Sequence, residues 1–158
     1  MPASGGEPSQ VTQKGGSVPL ESPDGKLIYY LKEKGDRIET RGAEVPHPAY
    51  DESVSLSGSG LHVWKVPSQG GNEDEVLGPI LARDYDVAKD GIYFIPKSKS
   101  GKSQSIRFFS FATGKIETVA SIDNAWGQYI SVSPDGRWIL YTKLDLEGSD
   151  LMLVENFR

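Results

Sequence analysis

The residues that could do chemistry in this chain are two histidines and a serine-rich loop, and none of them forms a catalytic pattern. His62 falls in a predicted strand, and His47 stands between two prolines. A hydrolytic triad ties its histidine to a serine and an acid, and no motif does so here. Residues 57–60, Ser-Gly-Ser-Gly, lack the Gly-x-Ser-x-Gly spacing of a nucleophile elbow. We therefore predict no catalytic residue and no enzyme activity.

Cofactor and metal sites are not predicted either. Gly101-Lys102-Ser103 ends like a phosphate-binding loop, but Pro96 stands where that loop requires its first glycine. The chain has no cysteine and so no thiolate ligands. Calcium loops space their acidic ligands in a fixed pattern, and no acidic cluster here follows it. The clusters are Asp84 with Asp86, Glu73 to Glu75, and Asp145, Glu147 and Asp150.

Composition narrows the class of protein and its partners. Of the 158 residues 37% are hydrophobic and 25% charged, and the net charge is −5. An acidic chain is poorly suited to neutralising phosphates, so we expect no contact with nucleic acid. No apolar run approaches the ~18 residues of a membrane span, so we expect no membrane insertion. Residues 1–16 lack the apolar core of an export signal, which favours the cytoplasm, with the periplasm as the alternative.

A turn written three times organises the chain. Ser-Pro-Asp-Gly occurs at residues 22–25 and 133–136, and Ala-Lys-Asp-Gly occurs at 88–91. Proline presets φ, aspartate bonds to nearby backbone, and glycine accepts positive φ. We predict a structural role for the Asp-Gly pair of each turn, and the residues concerned are Asp24, Gly25, Asp90, Gly91, Asp135 and Gly136.

The segments after these turns define the fold class. Each is short, aromatic and β-branched, and apolar on both sides, as in a strand that is covered on both faces. Each unit has one strand before the turn, the apolar strand directly after it and two further strands. Together they form a four-stranded antiparallel sheet. Repeats of a few tens of residues then predict an all-β, partial β-propeller of about three such blades, with almost no helix.

The repeat also sets the expected boundaries. We place the blade units at approximately 16–78, 80–121 and 126–158. Residues 1–12 are expected to supply an outer strand, between Glu7 and Thr12, to a preceding or ring-closing blade. The surplus length at 33–60 is expected to form an insertion loop.

An open arc of three blades has a consequence for partners. It leaves two apolar blade faces bare, and bare apolar faces favour association. We expect the chain to be the C-terminal part of a larger propeller. The alternative is a homodimer in which two copies complete a six-bladed ring.

One candidate binding face is predicted. Trp126 lies just before a first strand, where a propeller brings residues toward its central channel. Tyr85 has a comparable place in the second unit. These two residues are the expected binding face, for a protein or another ligand.

The repeated turns resemble those of a known family. Ser-Pro-Asp-Gly followed by an apolar strand, as at 22–31 and 133–141, is similar to the repeats of TolB-like propellers, relatives of the WD-repeat fold. Residues 132–158 look like the closing blade of propellers found in bacterial winged-helix transcriptional regulators and in some bacterial serine/threonine kinases. The resemblance implies a non-catalytic, protein-binding or ligand-sensing module of a regulator. Alternatives are the accessory propeller of a prolyl-oligopeptidase-like serine peptidase and a degenerate gene fragment.

Overall fold

The computed structural model confirms the all-β class. It describes residues 5–13, 15–33, 61–96, 103–123, 129–145 and 148–155. Strands, turns and irregular segments account for all of these residues, without any helix among them. No described segment therefore offers a helix long and apolar enough to cross a membrane.

The described residues form ten strands. Most are rich in aromatic and β-branched residues, which suit a pleated and half-buried surface. Their bounds are β1 Ser17–Glu21, β2 Leu27–Glu33, β3 Leu61–Pro67, β4 Asp74–Val87, β5 Gly91–Pro96, β6 Ser103–Ser110, β7 Ile116–Asp123, β8 Ile130–Val132, β9 Trp138–Asp145 and β10 Gly148–Glu155.

The strands form two antiparallel sheets. β1 to β7 pair in chain order in a seven-stranded sheet, and β8, β9 and β10 form a second one. β4 joins two units, since its beginning pairs with β3 and its end, from Tyr85 to Val87, pairs with β5. We call β1 to β3 with residues 74–80 the first blade, the rest of β4 with β5 to β7 the second blade, and β8 to β10 the third blade.

The core lies between blades, as strands that are apolar on both sides require. In β5, Ile92 and Phe94 enter a cluster shared with the first blade, and Tyr93 and Ile95 enter a cluster shared with the third. Alternate side chains of a strand point to opposite faces, so this one strand contributes to both clusters. The middle blade is therefore covered on both faces.

Two expectations about boundaries have different outcomes. Residues 5–13 are described without a strand, so the outer strand expected from Glu7 to Thr12 does not form in this structure. None of the ten strands pairs with this segment, and a lone strand has nothing to satisfy its backbone groups. The predicted boundary near residue 79 falls inside β4. The division into blade units stays a prediction, and residues 34–60 of the insertion lie outside the described residues.

Candidate functional site

The first repeated turn is closed by one serine and one aspartate. Ser22 Oγ donates to Asp24 Oδ1 at 2.7 Å and accepts from the N–H of Leu27 at 2.9 Å. Asp24 Oδ1 also accepts from the N–H of Lys26 at 3.2 Å. The following Gly25 has φ 71°, a conformation that glycine adopts without steric cost.

The last repeated turn is built in the same way. Ser133 Oγ donates to Asp135 Oδ1 at 2.6 Å and accepts from the N–H of Trp138 at 3.0 Å. The N–H of Arg137 donates to Asp135 Oδ1 at 3.1 Å, and Gly136 has φ 66°. The two copies thus share their hydrogen bonds as well as their sequence.

These hydrogen bonds set the charge state of both aspartates. The Ser22 hydroxyl and then the Lys26 N–H hold the pKa of Asp24 below its usual value. The Ser133 hydroxyl and then the Arg137 N–H do the same for Asp135. A carboxylate that accepts hydrogen bonds is favoured in its charged form. Both aspartates therefore stay ionised and are engaged within their own turns.

The middle turn has a different construction. The N–H of Ala88 donates to the carbonyl of Gly91 at 2.9 Å, which leaves Lys89 and Asp90 as a two-residue loop. The other turns span four residues between the matching bonds. Ala88 has no hydroxyl that could hydrogen-bond across a four-residue loop, as the serines of the other turns do. A two-residue hairpin loop forms instead.

The expected equivalence of Asp90 with Asp24 is therefore wrong. The N–H of Phe111 donates to the carbonyl of Asp90, as the N–H of Ser68 donates to the carbonyl of Lys26, both at 2.9 Å. Asp90 thus takes the place of Lys26 in the turn. The Asp-Gly pair of the middle turn therefore lies two positions later in its turn than the Asp-Gly pair of the first turn does.

Position 91 requires glycine because no Cβ fits between its backbone and the neighbouring strand, and not because of its φ angle. A Cβ there would lie 2.2 Å from the carbonyl oxygen of Phe109 and 2.4 Å from Cε2 of Phe108. Both atoms belong to β6, the next strand of the sheet. The glycine thus lets two strands approach at the start of β5.

A pocket of about 670 Å³ lies where the turns meet. It brings together Asp90, Asp135 and Gly136 of the predicted structural residues, while only Pro23 of the first turn reaches it. The lining is more apolar than polar, and Lys89 is the basic residue among its described members. Its full lining is Pro23, Val87, Ala88, Lys89, Asp90, Val132, Ser133, Pro134, Asp135 and Gly136.

Tyr85 does not lie on an exposed face. Its side chain is buried, and its hydroxyl donates to the carbonyl of Val18 at 2.6 Å and contacts that of Tyr29 at 3.3 Å. Burial, and then the charge of Asp86, raises the pKa of Tyr85. The expected binding role is thus replaced by a structural one, since this tyrosine ties β1 and β2 to β4. Trp126, the other residue of the expected face, lies outside the described residues.

The hydrogen bond from the Tyr85 hydroxyl accounts for an unusual backbone angle at Val18. Val18 has φ 50°, which is rare for a β-branched residue and costs free energy, ~1–3 kcal/mol for such a strained residue. The hydrogen bond to the Val18 carbonyl holds this conformation in place. β1 consequently shifts its register against β2 between Ser17 and Leu20.

Asp86 connects the second and third blades. Its Oδ2 accepts from the N–H of Val132 in β8 at 2.7 Å, and its Oδ1 accepts from the N–H of Val87 at 2.8 Å.

Asp84 is fully buried, and both of its carboxylate oxygens lack a hydrogen-bond partner. Burial raises the pKa of Asp84 to about 7. Within the described ranges, no group of three potential ligands could hold a metal ion.

His62 is paired but has no nucleophile. Its Nδ1 lies 2.7 Å from Glu75 Oε1, and the ring is nearly buried. A triad would also need a hydroxyl at the other ring nitrogen, and no hydrogen bond of that kind joins it to a described residue. His47 and residues 57–60 lie outside the described part of the chain. The pair lies on the outer face of the first blade, the side turned away from the second blade.

The outer face of the first blade, turned away from the second blade, is contacted by residues that precede β1. Tyr30 is 2% exposed, since Gly16 lies over its ring and a Cβ at Gly16 would be 2.6 Å from Tyr30 Cδ2. The N–H of Gln13 donates to Glu73 Oε1 at 3.0 Å, and Lys32 Nζ pairs with Glu73 Oε2 at 2.5 Å. Gln13 and Gly16 thus cover part of this face, which the sequence predicted to be bare, while Ile28 and Trp64 on it are partly exposed.

The outer face of the third blade is open. Leu140 of β9 lies opposite Leu153 of β10, and the two are 44% and 48% exposed. Leu151, two residues before Leu153 on the same side of β10, is 76% exposed. We call these three leucines the third-blade patch. The sequence predicted a bare face at this end, but it did not identify the leucines, because a strand covered on both faces has the same pattern.

A second groove of about 500 Å³ lies between the first two blades. Tyr29 and Phe111 stack in it with ring centroids 5.7 Å apart, and Phe109 meets Phe111 edge-on at 6.2 Å. Lys65, Asp74 and Glu75 are among its other lining residues. Sequence reasoning missed this groove, because Phe111 reaches it from the turn of the neighbouring blade.

These features define a partial β-propeller, with antiparallel sheets packed face to face and hydrogen-bonded hairpin turns. The crystal structure of TolB from Acinetobacter baumannii is similar to it, with a TM-score of 0.64 and 14% sequence identity over 94% of this chain. The chain spans about a third of the length of that structure, since 32% of it is covered. No protein family and no curated protein matches the sequence. The likeness therefore establishes a TolB-like propeller fold.

Proposed function

We propose that this chain is a non-catalytic propeller module that binds proteins. The observation that carries this proposal is the third-blade patch, formed by Leu140, Leu151 and Leu153. Contiguous exposed apolar surface on a folded protein marks an interaction site, whereas single exposed leucines are ordinary. The propeller fold agrees with this function, although the same fold serves unrelated functions.

We further propose that the module is the C-terminal part of a larger bacterial regulator. This part of the proposal is supported by the resemblance of residues 132–158 to closing blades of winged-helix regulators. The coding region upstream should then encode a winged helix or further blades. A neighbouring hydrolase domain with Gly-x-Ser-x-Gly would instead favour the accessory propeller of a serine peptidase, and neither would favour a gene remnant. A cytoplasmic location, with a periplasmic one as the alternative, goes with this proposal.

The binding role of the patch can be tested on the full chain. We expect Leu151→Lys with Leu153→Lys to reduce fluorescence of the apolar dye anilinonaphthalene sulfonate, and to abolish any self-association, without loss of the folded state. Ile116→Lys is the matched control, because Ile116 is 50% exposed but lies on β7 outside the patch. If the double variant and the control behave alike, the patch is not an interaction surface.

A further inference from the structure

We propose that Asp84 is a pH-sensitive switch between the second and third blades, whose neutral form lets the third blade dock and whose charged form favours its release. Asp84 lies near the end of β4, and its side chain is fully buried. Both of its carboxylate oxygens lack a hydrogen-bond partner. Such a group calls for an explanation, because nearly all buried polar groups in folded proteins are hydrogen-bonded. The switch does not depend on the binding role of the third-blade patch.

Asp84 lies on the side of β4 that faces the third blade. Alternate side chains of a strand point to opposite faces, so Asp84 shares its face with Asp86 and not with Tyr85. Tyr85 packs in the cluster shared with the first blade, whereas Asp86 Oδ2 accepts from the N–H of Val132 in β8 at 2.7 Å. The buried carboxyl group is therefore two residues away from the hydrogen bond that joins the two blades.

The described surroundings of Asp84 on this side offer no cation to pair with it. On β4 the nearest acid is Asp86, and both of its oxygens accept from N–H groups. β5, β8 and β9 contribute mostly isoleucines to the second cluster, and their titratable residues in it are Tyr93 and Tyr141. Tyrosines are neutral near neutral pH. Ionisation of Asp84 therefore places a charge against an apolar core.

That charge works against docking of the third blade. A buried carboxylate is costly unless it is paired, and burial raises the pKa of Asp84 to about 7. When water reaches the group, its pKa returns toward ~3.9. The docked state therefore binds more protons than the detached state, and detachment becomes easier as the pH rises from about 4 to about 7. Protonation of Asp86 would act in the opposite direction, because it would weaken the hydrogen bond from Val132 as the pH falls.

The third blade is built to respond separately. Among the described residues, no strand hydrogen bonds join β8, β9 or β10 to the seven-stranded sheet. β8 packs against β4 and β5, so its departure uncovers the side of β4 on which Asp84 lies. Water can then reach the carboxylate without breaking the larger sheet.

Hydrogen exchange of the natural full chain tests the switch. The quantity to follow is the protection factor, the exchange rate of an unstructured peptide divided by the observed rate at the same pH. We expect the protection factors of residues 139–141 in β9 to fall roughly twentyfold between pH 5 and pH 6.5, as the detached state gains population. Asp84→Asn should remove this dependence. Asp90→Asn, the matched change at an exposed aspartate, should retain it.

The comparison with β5 separates the switch from a general effect of Asp84 on stability. Exchange in β5 requires opening of the larger sheet, which exposes Asp84 in any case. Protection that falls with pH in β5 but not in β9 would show that Asp84 stays covered when the third blade leaves, and would overturn the switch. A pH dependence of β9 that persists in Asp84→Asn would assign it to another group and overturn the switch as well. The measurement on the natural chain decides the first point even if Asp84→Asn does not fold.

Discussion

At the residue scale, polar side chains in this chain mostly connect backbone segments. Ser22 with Asp24 closes a turn, Tyr85 fastens β1, and Asp86 joins β4 to β8. In each case a side chain satisfies backbone groups that the sheets leave unpaired at their ends. Asp84 is one of the exceptions among the described residues, because its carboxylate is buried without a hydrogen bond. A buried polar group without a partner is costly, and here the cost depends on pH.

Asp84 should make the protein less stable as the pH rises. Burial raises its pKa to about 7 in the folded state, against ~3.9 in an unfolded chain. Between these values the folded state binds more protons, so the free energy of unfolding falls as pH rises from about 4 to about 7. One pKa unit corresponds to ~1.4 kcal/mol, so the full effect is on the order of 4 kcal/mol.

Asp84→Asn removes the titration and tests this assignment. We expect the variant to be more stable than the natural chain at pH 8, and the two to converge near pH 4, when urea unfolding is measured across that range. Asp90→Asn is the control, because Asp90 is exposed in the tight middle turn. An unchanged pH slope in Asp84→Asn would show that another group is responsible.

At the element scale, strands were easier to predict from the sequence than turns. Runs such as Ile92 to Ile95 are apolar on both sides, and burial on both faces follows directly from that pattern. The turn at 88–91 was misread because aspartate and glycine have several uses in turns. The missing hydroxyl at Ala88 was the available signal that this turn is shorter. The contacts of Gln13 and Gly16 with the first blade could not be predicted, because the sequence around them, Gln-Lys-Gly-Gly, has no strand pattern.

The two kinds of turn glycine should respond differently to substitution. At Gly25, φ is 71°, so Gly25→Ala should cost ~1 kcal/mol and Gly25→Asn less, because asparagine tolerates this region. At Gly91 a side chain would meet backbone of β6, so alanine and asparagine should both cost about 3 kcal/mol or more.

Denaturant midpoints of the four variants measure this difference. Gly114 provides the reference, since it has φ 66° and open space around it, so Gly114→Ala should match Gly25→Ala. Rescue of position 91 by asparagine would mean that backbone angle, and not space, requires the glycine there.

At the scale of the whole molecule, the three described blades are not held together equally. The first two blades share one continuous sheet through β4, whereas the third blade has no strand hydrogen-bonded to that sheet among the described residues. It is held by packing of Ile130 and Ile139 in the second cluster and by the hydrogen bond that the Val132 N–H donates to Asp86. We therefore expect the third blade to detach more easily than the first two blades separate, and it carries the third-blade patch.

Hydrogen exchange should reveal this division. The segment of β9 from Ile139 to Tyr141 lies between two paired strands, as β5 does. We nevertheless expect this segment to exchange at least tenfold faster than β5, because the third blade can detach without breaking the larger sheet. Equal exchange of β5 and β9 would mean that the arc opens as a single unit, and that the third blade is not separately held.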